Sequence, residues 1–169
     1  MFRPQNYCCF IRLLLRKARQ HAVALAAYCL MPSHFHFLVR PANDGGVAPF
    51  LAGVCGTHAQ AINAQRCRAG ALFQGRFRAT HVDRDAYLRH VARYVHLNPV
   101  AAGLALRPQD WPYSNYRAII SGDPAFSPNE PLFGGLFETP LAYRHFVEAP
   151  ALEELPGSLK LPGSYRESI

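Results

Sequence analysis

The feature that most constrains this chain is the stretch Tyr28-Cys-Leu-Met-Pro-Ser-His-Phe-His-Phe-Leu-Val-Arg40, where an apolar run reaches Pro32-Ser33 and returns as a strictly alternating segment. Alternation with a period of two marks a β-strand with two different faces, so the stretch reads as a tight hairpin. Successive strand side chains point to opposite faces, which puts His34, His36 and Leu38 on one and Phe35, Phe37 and Val39 on the other. Two imidazoles one repeat apart, roughly 6.6 Å along the strand, can converge on a single ion. The phenylalanine face calls for a core, and the histidine face reads as the open side of a sheet carrying a metal site. The plainer reading is a pair of surface histidines in a chain that has eight.

A second element lies sixty residues on. In Asp83 to Pro99 the residues Tyr87, Leu88, Val91, Tyr94 and Val95 recur at helical spacing, with Asp83 placed as N-cap and Pro99 as stop. Tyr94 and Asn98 are four apart and project from one face of such a helix. His96, two residues from Tyr94, falls near the opposite face and reads as a surface or DNA-contacting histidine. Taken alone, Tyr94 reads as a core tyrosine with its hydroxyl at the rim.

Together, the His-Phe-His strand and a helix ending Tyr94-Val-His-Leu-Asn-Pro-Val-Ala-Ala-Gly103 resemble the single-tyrosine HUH transposases, and within them the REP-associated tyrosine transposase branch. Leu72-Phe-Gln-Gly-Arg-Phe77 and Asp110-Trp-Pro-Tyr-Ser-Asn-Tyr-Arg117 add to the likeness, which runs from about Phe2 to about Val147. The resemblance implies a metal-dependent single-stranded DNA endonuclease and strand transferase, working through a 5′-phosphotyrosine intermediate. Tyr94 is then the nucleophile and His34, His36 and Asn98 the metal ligands. A tyrosine hydroxyl, with a pKa near 10, is a weak nucleophile until a phosphodiester is polarised and aligned. Two imidazoles, one amide oxygen and open positions suit Mg²⁺ or Mn²⁺, the nitrogen ligands favouring Mn²⁺. The partner implied is single-stranded DNA with hairpin or palindromic elements, bound by a monomer or homodimer.

Charge agrees with a polyanionic partner: 18 basic against 11 acidic residues give +7 at neutral pH. Between Leu72 and Val82 alternation predicts a third strand, with Phe73 and Phe77 on one face and Gln74, Arg76 and Arg78 in a basic row on the other. Arg84, Arg89 and Arg93 extend that charge along the next helix, Arg93 being counted among the DNA-binding residues. Five cysteines, odd in number and without Cys-x-x-Cys spacing, point to reduced thiols in a cytoplasmic protein. The longest apolar run, Ala22 to Met31, is too short to span a bilayer, and no secretory signal opens the chain.

The coarse order is helix (6–20), strand (22–30), strand (34–40), helix (47–66), strand (72–82), helix (84–97), then a Pro/Gly-rich part with one helix at 140–148. This predicts an α+β fold: a ferredoxin-like antiparallel sheet with helices packed on one face, lacking its first strand. Residues 1–120 form the transposase-like domain and 121–169 a C-terminal extension, loose from Pro150. Asn43 to Gly46 reads as a plain loop. Relatives carry a further strand before the first helix, which would be central in the sheet and would pair with the histidine strand. Without it that strand is an edge, and either upstream codons encode it in frame or the chain is poorly soluble and inactive. The helix around 57–63 also lacks expected aromatics. Two readings stay open beside the transposase: a catalytically impaired nucleic-acid-binding remnant of one, and an unrelated His-x-His metal hydrolase, disfavoured because no carboxylate lies near either element in sequence.

Overall fold

The computed structural model describes residues 4–43, 46–82, 85–126 and 135–149. Asp83, Arg84, part of the 43–46 loop and the tail from Pro150, all assigned above, lie outside them. Helix α1 (Pro4–Gln20) forms because Tyr7, Phe10, Leu14 and Ala18 recur on one stripe, and that stripe is buried. Strands β1 (Val23–Leu30) and β2 (Phe35–Pro41) make the expected antiparallel hairpin, closed by a hydrogen bond from Met31 N to His34 O of 2.8 Å. Helices α2 (Val47–Gln65), α3 (Asp85–Ala101), α4 (Tyr116–Ile120) and α5 (Pro140–Glu148) follow.

The hairpin register pairs Leu30 with Phe35, Tyr28 with Phe37 and Leu25 with Val39, all on one face, where they meet α1 and α2 in a core built on Phe10, Phe50 and Val54. A bulge between Leu25 and Ala27 absorbs one residue of β1. Beyond it Ala27 opposes Leu38 and Cys29 opposes His36, on the face that packs against Ala92 and Val95 of α3 and Tyr143 and Val147 of α5. The fold is α+β with an antiparallel sheet, consistent with a truncated ferredoxin-like domain. Its helices cover both faces of the sheet, so the face bearing the histidines is roofed by α3 instead of standing open. The reason is that Ala27, Cys29 and Leu38 give that face apolar surface of its own to bury, and all three are buried.

The strand expected at Leu72–Val82 is absent. The segment is irregular, with Gly75 in the left-handed region (φ 83°), and among the described residues the sheet consists of β1 and β2. Alternation describes side chains, whereas a strand needs a neighbour to hydrogen-bond. Phe73 turns inward, against Phe35 and His58, and Val82 packs on the core beside α3, while Phe77 stays 43% exposed.

Pro99 does not stop α3. The helix continues to Ala101 and ends where Gly103 (φ 67°) permits a left-handed turn, with Leu104 N bonded to Pro99 O and Gly103 N to Val100 O. A proline this late removes only one helical bond, and its ring is buried in the core. On the far edge of β1, Leu30 N donates to Tyr113 O, Trp111 Nε1 donates to Leu30 O, and Ser114 bridges Cys29. The Trp111–Asn115 segment thus closes that edge.

Candidate active site

The hairpin turn delivers His34 and His36 to one place, their ring centroids 4.8 Å apart and nearly perpendicular. Above them α3 presents Tyr94, whose ring centroid stands 5.3 Å from that of His36. Because α3 is still helical at Asn98, the side chain four residues on returns to the same face, and its Nδ2 donates to Tyr94 O at 2.7 Å. A carbonyl accepts only from the amide nitrogen, so Oδ1 is the remaining polar atom of Asn98. The four residues singled out as nucleophile and ligands therefore meet in the fold, although sixty residues separate the two pairs.

Their electrostatics differ from those of surface groups. Burial pushes the pKa of His36 down to about 4, and neighbouring His34 adds to the effect; the Asn98 side chain, close enough to hydrogen-bond the ring, opposes it. Even so, His36 Nε2 is buried and makes no hydrogen bond of good geometry. A buried polar nitrogen without a partner is costly, roughly 1–3 kcal/mol, and is uncommon. His34 is exposed, with Nδ1 3.0 Å from Ser33 Oγ. A neutral imidazole with an unsatisfied nitrogen, a second imidazole beside it and an amide oxygen make a donor set suited to a divalent ion. Among the described residues no three His, Cys, Asp or Glu side chains form a metal-holding group, so a third protein donor here would be an amide.

His58 also has a pKa lowered to about 4 by burial, yet it lies across the sheet with its ring edge-on to Phe10 at 4.7 Å, and it reads as a core histidine. The expectation for His96 is overturned. It is fully buried, with Nε2 3.0 Å from Asn115 Oδ1 and Nδ1 2.7 Å from the Tyr143 hydroxyl. It does lie on the helix face opposite Tyr94, but that face is covered by α4 and α5, which the period of α3 alone cannot reveal. Arg93 is likewise drawn off the expected phosphate-binding row: Nε donates to Val147 O at 3.2 Å, Nη2 donates to Ala149 O, and the guanidinium lies over the Phe146 ring. Gln74, Arg76 and Arg78 are exposed, on an irregular loop instead of a strand. Sequence reasoning missed Asn115 and Tyr143. The Asp110–Arg117 segment was the one available signal, and nothing in it told which side chain mattered.

A family model described as transposase, IS200-like, matches residues 9–98, just over half of the chain, taking in the hairpin and α3 as far as Asn98. The chain belongs to the IS200-like transposase family. Membership implies DNA transposition as the process served and a DNA-processing enzyme as the class. No curated protein and no solved structure matches this IS200-like transposase. No helix among its described residues is long and apolar enough to cross a membrane.

Proposed function

We propose that the chain cleaves and rejoins single-stranded DNA carrying hairpin or palindromic elements, with Tyr94 as nucleophile, and that it belongs to the REP-associated branch of its family. The observation that carries this reading is the unsatisfied, buried Nε2 of His36 within 5.3 Å, ring to ring, of Tyr94. His34, His36 and Asn98 Oδ1 would hold Mg²⁺ or Mn²⁺, which when bound supplies Lewis-acid stabilisation of the charge developing on the scissile phosphate. The Tyr94 oxygen attacks phosphorus in line, forming an Oη–P bond. The bond to the 3′ oxygen breaks, its electron pair leaves with that oxygen, and the proton lost by the phenol goes to solvent while the 3′ oxygen takes one up. The 5′ phosphate remains on Tyr94, and attack by another 3′ hydroxyl reverses the step without an external energy source. Gln74, Arg76 and Arg78 sit on the exposed loop beside Phe73 and serve as contacts to the phosphate backbone.

A second reading, a nucleic-acid-binding remnant without catalysis, is favoured by one feature. Among the described residues β2 has no strand on its outer edge.

The deciding experiment mixes the chain, Mn²⁺ or Mg²⁺, and single-stranded hairpin oligonucleotides labelled on the 3′ side of candidate cleavage sites. A denaturation-resistant protein–DNA adduct is expected, and it should vanish in Tyr94→Phe while binding persists. An adduct that survives the substitution would move the nucleophile, with Tyr87 next to test; binding with no adduct in the unsubstituted chain would establish the remnant.

A further inference from the structure

Tyr94 is held by its own helix, and that helix is gripped from behind. Asn115 Nδ2 donates to Ala26 O at 3.0 Å, which fixes the amide's orientation, and its Oδ1 accepts from Tyr28 N at 2.8 Å. The same Oδ1 faces His96 Nε2 at 3.0 Å, so Nε2 must carry the proton. Nδ1 is then a lone-pair acceptor, and the Tyr143 hydroxyl at 2.7 Å donates to it. A continuous line of hydrogen bonds therefore runs from the β1 backbone through Asn115 and His96 on α3 to Tyr143 on α5. On the other side of Tyr94, Arg93 donates to the carbonyls of Val147 and Ala149 at the end of α5. The residues one before and two after Tyr94 are thus both tied to α5, which lies outside the family-matched stretch of residues 9–98.

We infer that Asn115, His96, Tyr143 and Arg93 are positioning residues: they set the rotation and height of α3 on the sheet, and so hold the Tyr94 ring over His36. The inference rests on the reading of Tyr94 as nucleophile. The physical ground is that apolar packing, here through Ala92 and Val95 with Leu88, Val91 and Leu97 around them, is non-directional, whereas a hydrogen-bonded line has one register. Asn115, His96 and Tyr143 are buried and bond to one another and to the β1 backbone, so their effect on chemistry passes through Tyr94.

The test has two readouts on the full chain. Site-specific 3-fluorotyrosine at position 94 gives a fluorine resonance that reports the surroundings of the ring without DNA or metal. One sharp line is expected in the parent, and a shifted or split line in Tyr143→Phe, Arg93→Gln and His96→Phe. His96→Gln, which can both donate to Asn115 and accept from Tyr143, should restore the parent line. In unlabelled protein, Tyr143→Phe and Arg93→Gln should slow adduct formation at saturating oligonucleotide on the order of tenfold while leaving oligonucleotide affinity unchanged. Should His96→Phe fail to fold, Tyr143→Phe and Arg93→Gln decide. A lowered melting temperature with an unmoved fluorine line in those two would overturn the inference and leave the network a support of the fold. A parent chain that forms no adduct would instead sink the nucleophile reading, and the fluorine spectra would still decide whether the ring is clamped.

Discussion

Two histidines, the half-buried His36 below Tyr94 and the fully buried His96 behind it, are both pushed to a pKa of about 4 by burial, yet they do opposite things with their nitrogens. His96 spends both, one on Asn115 and one on Tyr143. His36 keeps a buried Nε2 that makes no hydrogen bond of good geometry, with the Asn98 side chain beside the ring. The difference teaches that a depressed pKa does not distinguish a ligand from a structural group, because desolvation acts alike on both. Hydrogen bonding separates this pair: both nitrogens of His96 are committed to the fold, whereas Nε2 of His36 faces Tyr94 and His34 without a hydrogen bond of good geometry.

The comparison breaks most decisively on substitution. His36→Ala should abolish metal-dependent adduct formation, a loss of at least about a hundredfold, while changing stability by less than about 1 kcal/mol, since the group removed was unsatisfied. His96→Ala should do the reverse first, costing about 3 kcal/mol in denaturant unfolding through the cavity and the stranded partners. If both variants lost stability equally, the distinction between the two sites would be wrong.

Acid provides the next test. An unfolded histidine titrates near pH 6.5 and these fold with values of about 4, so below pH 6.5 the unfolded chain binds protons that the folded chain refuses. Stability is therefore full above pH 6.5, falls as pH drops toward 4, and levels off below that. Each histidine contributes up to about 1.4 kcal/mol per pH unit in the window. His36→Ala and His96→Gln should each remove one such share from the slope, and Mn²⁺ should stabilise the parent near neutral pH but not His36→Ala. A slope unchanged by both substitutions would show that neither nitrogen is shielded.

Smaller effects sharpen the picture. Asn98→Ala should slow adduct formation roughly tenfold, because water can replace one ligand of three. Arg76→Ala and Arg78→Ala, on an exposed loop, should weaken single-stranded DNA binding only a few-fold and reduce its salt dependence by about one charge each. Parallel measurement of the two arginine variants at several salt concentrations would expose any specific base contact as a loss that salt does not change.

What the chain alone determined is local. The period-two pattern of His34 to Val39 set which residues share a face, the period near four set Tyr94 and Asn98 together, and the 140–148 helix could be read to its ends, because side-chain direction follows from backbone period. Tertiary structure decided everything that needed a second element. It turned the alternating segment at 72–82 into a loop for want of a strand beside it, carried α3 past Pro99 because packing outweighed one lost bond, and took His96 and Arg93 from an expected surface into the grip of α4 and α5. A residue's own helix or strand tells where its side chain points; what it meets there depends on contacts between residues far apart in the chain, and these carry no period to read.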